Sequence, residues 1–451
     1  MTAMNITTLR RSVMVSLLPS VLAGCGSNDT RLMDGELSMS NPGELLERES
    51  TRRSRADVFP AAEPPSPDEL ARMTHYVNNR IDRTKVIKSL RTATGRKIDC
   101  LEIAAQPALR GRPLAPVPKV GATGIPPIDR SNGSLPGLAE PLFSATGQPD
   151  TCASGTVPVP DIALDDVARF PTLEDFFRKI PHKAPSTNRV GVLPEEYDRD
   201  WAVAGRGITN RGAIALINNW RPATAGPGFS LGQVWVSGDG MNGHETVEVG
   251  IQRSSTIYGD TQSHFFIYST RDSYQDAVNP GCYNNLCGDF VQVSSSLFPS
   301  MIVTPSVYNG TQYATDVIWF KDGADGHWWL LAFDQQWIGY YSRDLFVAIA
   351  EESTHINFGG EVAFLTGQST HTSTDMGSGK YPYFGFGKAA WIDWLQFFDL
   401  SNSAHQIIDL VDLVNSRPGC YYAEVLQGSM NTQVWYGGPG YPGNTMGPCL
   451  P

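Results

Sequence analysis

Residues 355–364 read HINFGGEVAF (His355–Phe364), two glycines and a glutamate inside a run of β-formers. Side chains alternate across a strand. Phe358, Gly360, Val362 and Phe364 therefore share one face, and Gly359, Glu361 and Ala363 share the other. ETVEVGIQ (Glu245–Gln252) repeats the arrangement: Val247, Val249 and Ile251 form the apolar face, with Thr246, Glu248, Gly250 and Gln252 opposite. Each strand thus sets one carboxylate on its non-core face, two positions from a glycine.

Further short strands surround these two: GQVWVSG, HFFIYST, DFVQVSS, TDVIWFKDG, HWWLLAF, WIGYYS and KAAWIDWLQFF, separated by Gly, Asn and Asp-Gly turns. That pattern predicts an all-β antiparallel sandwich from about residue 191 to 451. The two aspartates of KDGADGHWW read as a turn rather than a calcium loop. Ahead of the sandwich, Ser66-Pro67-Asp68-Glu69 supplies an N-cap, a proline at N1 and an acidic N3. Leu70, Met73, Val77 and Ile81 follow at helical spacing, which predicts a helix ending near Gly95. Proline-interrupted extended pieces then run to Pro181, too broken for a large core of their own. Residues 66–190 are expected to form a small α+β domain lying against the rest.

The N-terminus carries Arg10-Arg11, a short apolar run and Leu22-Ala23-Gly24-Cys25. This predicts an export signal over residues 1–25, of lipobox form with Cys25 as lipid acceptor; an ordinary secretory signal is the alternative. Polar residues 26–65 read as a tether. The expected location is the cell envelope, anchored through Cys25, or outside the cell after processing. Six further cysteines suit disulfides in an exported chain, paired as Cys100–Cys152, Cys282–Cys287 and Cys420–Cys449.

The chain has 451 residues and a formal net charge of -11. From Trp201 onward there are 10 basic and 21 acidic residues; Arg48–Arg130 holds 16 basic and 9 acidic. The acidic half would repel phosphate backbones, so nucleic acid is not an expected partner, and the basic segment is expected to dock on the chain's own acidic domain. No C-x-x-C pair, H-E-x-x-H helix, phosphate loop or dinucleotide fingerprint occurs, so neither a metal nor a cofactor is expected. Gly228-Phe229-Ser230-Leu231-Gly232 matches G-x-S-x-G but lacks the strand before it and the helix after it that a nucleophile elbow needs.

On the face that carries the glutamates, the alternation adds Gln233 and Trp235 from GQVWVSG. With Gly250, Gly359 and Gly360 leaving room, these outline a trough for an extended polymer. Paired carboxylates can activate water. A lectin-like trough that binds without cutting would be built from similar parts; a sandwich glycosidase would usually keep its paired carboxylates close along one strand, whereas Glu248 and Glu361 lie 113 residues apart.

RKIDCLEIAAQPAL, CASGTVPVP, ETVEVGIQ, IYGD, GCYNNLCGDFVQ, HWWLLAF, IGYYSRDLF, FGGEVA and DMGSGKYPYFGFGKAA occur in an order that resembles the neprosin family of glutamic peptidases. The resemblance implies two large antiparallel sheets, an N-terminal activation peptide as the chain's own partner, and cleavage after proline in peptide or protein substrates at acid pH. It also implies a water-activating pair that falls on Glu248 and Glu361. Ile251 and Phe358 stand where the family often has tryptophan, which would reshape the subsites.

Overall fold

A computed structural model of the chain describes residues 64–119, 124–179, 197–241, 243–271, 273–274, 281–365, 371–427, 431–441 and 449. The chain divides into Met1–Asp57 and Val58–Pro451, and every described residue belongs to the second unit. The signal, most of the tether, Cys25 and the junction at residues 180–196 lie outside the described residues.

Two sheets make the sandwich. The front sheet has seven strands in the spatial order Cys282–Tyr283, His264–Thr270, Gly243–Arg253, Phe229–Gly240, Ser353–Leu365, Tyr197–Asn210 and Asp412–Asn415. The back sheet has ten, with Tyr313–Lys321, Gly212–Asn218 and Ala390–Phe398 near its centre. Pairing within the front sheet is antiparallel throughout. Between the sheets lies one apolar layer: Val234, Val236, Val247, Val249, Phe358 and Val362 from the front, Ala215, Ile217, Val317, Trp319 and Leu330 from the back. Period-2 alternation sends every second side chain into this layer, which is what fixes the register.

Residues 64–179 cover both outer faces. Ser66 caps the helix Pro67–Asn79, its hydroxyl accepting from the Glu69 amide at 3.2 Å. The helix stops at Asn79 instead of reaching Gly95. β-Branched Val86 and Ile87 open a strand, Val86–Arg91, that turns through Gly95 (φ +86°) and pairs with Lys97–Glu102. These two lead a five-stranded sheet stapled by Cys100–Cys152. Met73, Phe170 and Phe176 pack with Leu231, Phe266, Tyr268 and Ala363 on the front sheet's outer face. Ala108, Leu109 and Ile125 lie against Ile214, Ile318 and Trp329 on the outer face of the back sheet.

The basic segment reaches the acidic half through Arg110–Asp289 at 2.9 Å, Arg112–Asp344 at 2.6 Å and Arg130–Asp316 at 3.3 Å. Cys282–Cys287 and Cys420–Cys449 are the other two disulfides.

Candidate active site

Register places the two glutamates. In the front sheet Glu248 stands opposite Trp235 and Gly250 opposite Gln233, while across the next strand Gly359 faces Gln233 and Glu361 faces Leu231. Directly opposed residues share a face. Glu248, Trp235, Gln233, Gly359 and Glu361 therefore all point outward, with Gln233 on the strand between the two acids. Glu248 is 0% and Glu361 1% exposed, because residues 64–179 lie over them.

One side chain joins the pair. The Lys179 Nζ lies 2.7 Å from Glu248 Oε2 and 2.6 Å from Glu361 Oε2. Those two oxygens can be no further apart than the sum of the two distances, so both carboxylates converge on a volume the size of an ammonium group. Lys179 is itself 3% exposed and sits over the rings of Trp235 and Tyr268, 5.4 and 5.9 Å from their centroids. Its charge is thus matched by two carboxylates and two π-faces.

The remaining partners of the acids differ. Tyr274 Oη and Thr246 Oγ1 donate to Glu248 Oε1 at 2.6 and 2.9 Å. Glu361 has Arg199 Nη1 at 3.5 Å, and that guanidinium lies 5.5 Å from the Tyr274 ring. Burial opposes charge on Glu248, but the Lys179 ammonium and the donors Lys179, Tyr274 and Thr246 outweigh it and hold the carboxyl below its ordinary value. Burial, with the adjacent Glu248 charge, pushes the Tyr274 phenol well above its ordinary value, so it stays a donor. Tyr274 and Ser273 both have left-handed backbone (φ 60° and 62°), a local cost of the kind found where a side chain must be held in place.

Gln233 is fully buried, and neither its Oε1 nor its Nε2 has a hydrogen-bond partner. Buried amides are almost always paired. This one lies beside the acids with its donor free.

The glycines correct the sequence reading. A Cβ on Gly250 would lie 2.1 Å from the Gly232 carbonyl oxygen, and one on Gly359 (φ +149°) 2.3 Å from the Ala202 oxygen. Gly360 faces the core, where a Cβ would come within 2.5 Å of the Tyr436 ring and 2.6 Å of Met376 Sδ. Close approach of neighbouring chain atoms requires all three, and Gly360 cannot meet a ligand on the outer face. Sequence reasoning also missed Lys179, Arg199, Tyr268 and Tyr274. Tyr268 could have been found, since its strand pairs with the Glu248 strand in register. Nothing in FFRKIPHK marks Lys179.

Ser230 of the G-x-S-x-G match is a buried strand residue, with neither a turn nor a base at its hydroxyl. Asp322 and Asp325 accept from the backbone amides of Ala324 and His327, as turn residues do. Among the described residues, one cluster has metal-ligating side chains, His371 with Cys420 and Cys449, and both of its sulfurs are joined in a disulfide.

Residues 226–439 match the Neprosin family model. Among solved structures, the chain is similar to scytalido-glutamic peptidase with a peptide-based transition state analog (7% identity, 54% of this chain and 99% of that one, TM-score 0.27). It is similar also to SCP-B, a member of the eqolisin family of peptidases (8%, 54% and 99%, TM-score 0.26), and to lactose-liganded congerin II (14%, 37% and 99%, TM-score 0.20). Overlaps this loose have no bearing on function. The family match spans the strands that carry both glutamates and supports a glutamic peptidase of neprosin type.

Proposed function

We propose that the protein is an endopeptidase whose catalytic pair is Glu248 and Glu361, and that its own residues 64–179 hold it latent. The observation that carries this reading is the single Lys179 ammonium in contact with both carboxylates. Two acids from distant parts of the chain converge on one point, and the group between them comes from the covering segment.

Once Lys179 leaves, two carboxylates this close cannot both stay charged at acid pH. They share a proton and titrate as one unit. The ionised member takes a proton from water as it attacks the scissile carbonyl carbon; the protonated member donates to the departing amide nitrogen. The Gln233 Nε2, which has no hydrogen-bond partner, would donate to the oxyanion of the tetrahedral intermediate. Trp235 and Tyr268, now flanking the lysine stem, would flank a substrate side chain, and their flat faces suit a proline ring. Cleavage after proline, an acidic working range, release by cutting between Pro181 and Trp201, and export with a lipid on Cys25 complete the proposal.

The test uses purified protein at acid pH with a proline-rich unstructured peptide, alongside Glu248→Gln and Glu361→Gln. Fragments ending in proline from the wild type, with turnover reduced at least about 1,000-fold in each variant, are expected. Undiminished cleavage by either variant would remove that glutamate from the mechanism.

A further inference from the structure

A small, partly open recess lies where residues 64–179 meet the sandwich. Arg80, Arg96 and Pro160 line it from the covering segment, and Tyr258, Asn285 and Ser300 from the sandwich; neither glutamate nor Lys179 borders it. Arg80 follows the helix Pro67–Asn79 and gives Nη1 to the Pro160 carbonyl at 2.8 Å, which leaves its buried Nε–H without a partner. Arg96 follows the Gly95 turn, and its guanidinium has no ion pair or hydrogen bond among the described residues.

The charges facing Arg96 do not balance. Asp166, Asp260 and the Tyr258 phenol lie within its electrostatic reach, and so does the second cation, Arg80. Both carboxylates are already committed. Asp166 pairs with Arg169 and accepts from the Ala163 amide; Asp260 holds His264 at 2.9 Å and accepts from the Gln262 amide and Thr94. Burial accordingly pushes the Arg96 guanidinium below its ordinary value. Another lining residue, Ser300, carries a buried Oγ without a hydrogen-bond partner. A recess with two guanidinium groups short of counter-charge and one unpaired hydroxyl is built to bind negative charge.

We propose that this recess binds a small inorganic oxyanion, sulfate or phosphate, between Arg80 and Arg96, with the Ser300 hydroxyl as a further donor. Planar guanidinium groups match the oxygen spacing of such ions and bind them through charge-assisted hydrogen bonds. Half of the site belongs to the covering segment and half to the sandwich. A bound oxyanion therefore ties the two together, and mass action then favours the docked form. That last consequence rests on the latency reading above; the binding itself does not.

The test is thermal unfolding of the intact chain at pH 7 in sodium sulfate, against sodium chloride at equal ionic strength. A saturable rise in Tm is expected in sulfate and none in chloride. Arg96→Gln should unfold at a higher temperature than wild type in chloride, because a buried like charge is gone. It should also need at least about tenfold more sulfate for half of the rise. Ser300→Ala, a milder change, should raise the half-saturating concentration severalfold and serves if the arginine variant does not fold. An equal rise in chloride, or an unchanged sulfate response in both variants, would overturn the site. Neither result depends on whether the chain cuts peptides.

Discussion

Replacing Lys179 by methionine keeps the buried stem and removes the charge between two buried carboxylates. At 2.6 and 2.7 Å and an effective dielectric of about 20, each contact is worth about 6 kcal/mol before desolvation. Leaving a buried charge unmatched typically costs about 3–5 kcal/mol net. Proton uptake sets a ceiling on that cost. A glutamate with an ordinary value of 4.5 is neutralised at pH 7 for about 1.4 kcal/mol per pH unit, or about 3 kcal/mol. Lys179→Met should therefore lose about 3 kcal/mol at pH 7 and less than about 1 kcal/mol at pH 4.5, where the proton is nearly free.

The wild type runs the other way. The Glu248 carboxyl is held below its ordinary value in the folded chain, so its contribution is complete above the ordinary glutamate range and is lost as pH falls through the lowered value. The two stability curves should converge toward acid. Urea unfolding followed by tryptophan fluorescence at both pH values measures this, with Trp235 beside the lysine as a local reporter. A loss below about 1 kcal/mol at pH 7, or one that does not change with pH, would refute the argument that Lys179 neutralises the pair.

Three other outcomes follow from the geometry. Tyr274→Phe removes a donor to Glu248, so the acid limb of kcat/KM in the released enzyme should move up by about 1 pH unit, read from a pH–rate profile. Gly250→Ala drives a methyl into the Gly232 carbonyl and should destabilise the chain by about 1–3 kcal/mol or prevent folding; denaturant titration shows which. Replacing Cys100 and Cys152 by serine opens a link across 52 residues and should cost about 4 kcal/mol, seen as a lower unfolding midpoint of the intact chain.

Alternation within HINFGGEVAF and ETVEVGIQ was enough to assign Glu361 and Glu248 to the non-core faces of their strands, because side-chain direction in a strand is a local property with period 2. The same local signals marked the sandwich and the Ser66 cap. They failed at Asn79, where helical spacing continued but β-branched residues and a Gly95 turn favoured a hairpin. They failed again at the glycines, whose need is set by atoms of neighbouring strands.

Lys179 was illegible for a stronger reason. A lysine in FFRKIPHK has no local feature that distinguishes it from a solvated one, and its contact with Glu248 spans 69 residues of chain. The sequence by itself determined which faces the two acids occupy and which residues form the apolar layer behind them. Only tertiary structure decided that these acids converge, that the chain covers them with its own cation, and that Arg80 meets Arg96 in a recess. Electrostatic neutralisation depends on distances through space, and those are set by how sheets and covering segment pack, which no local periodicity encodes.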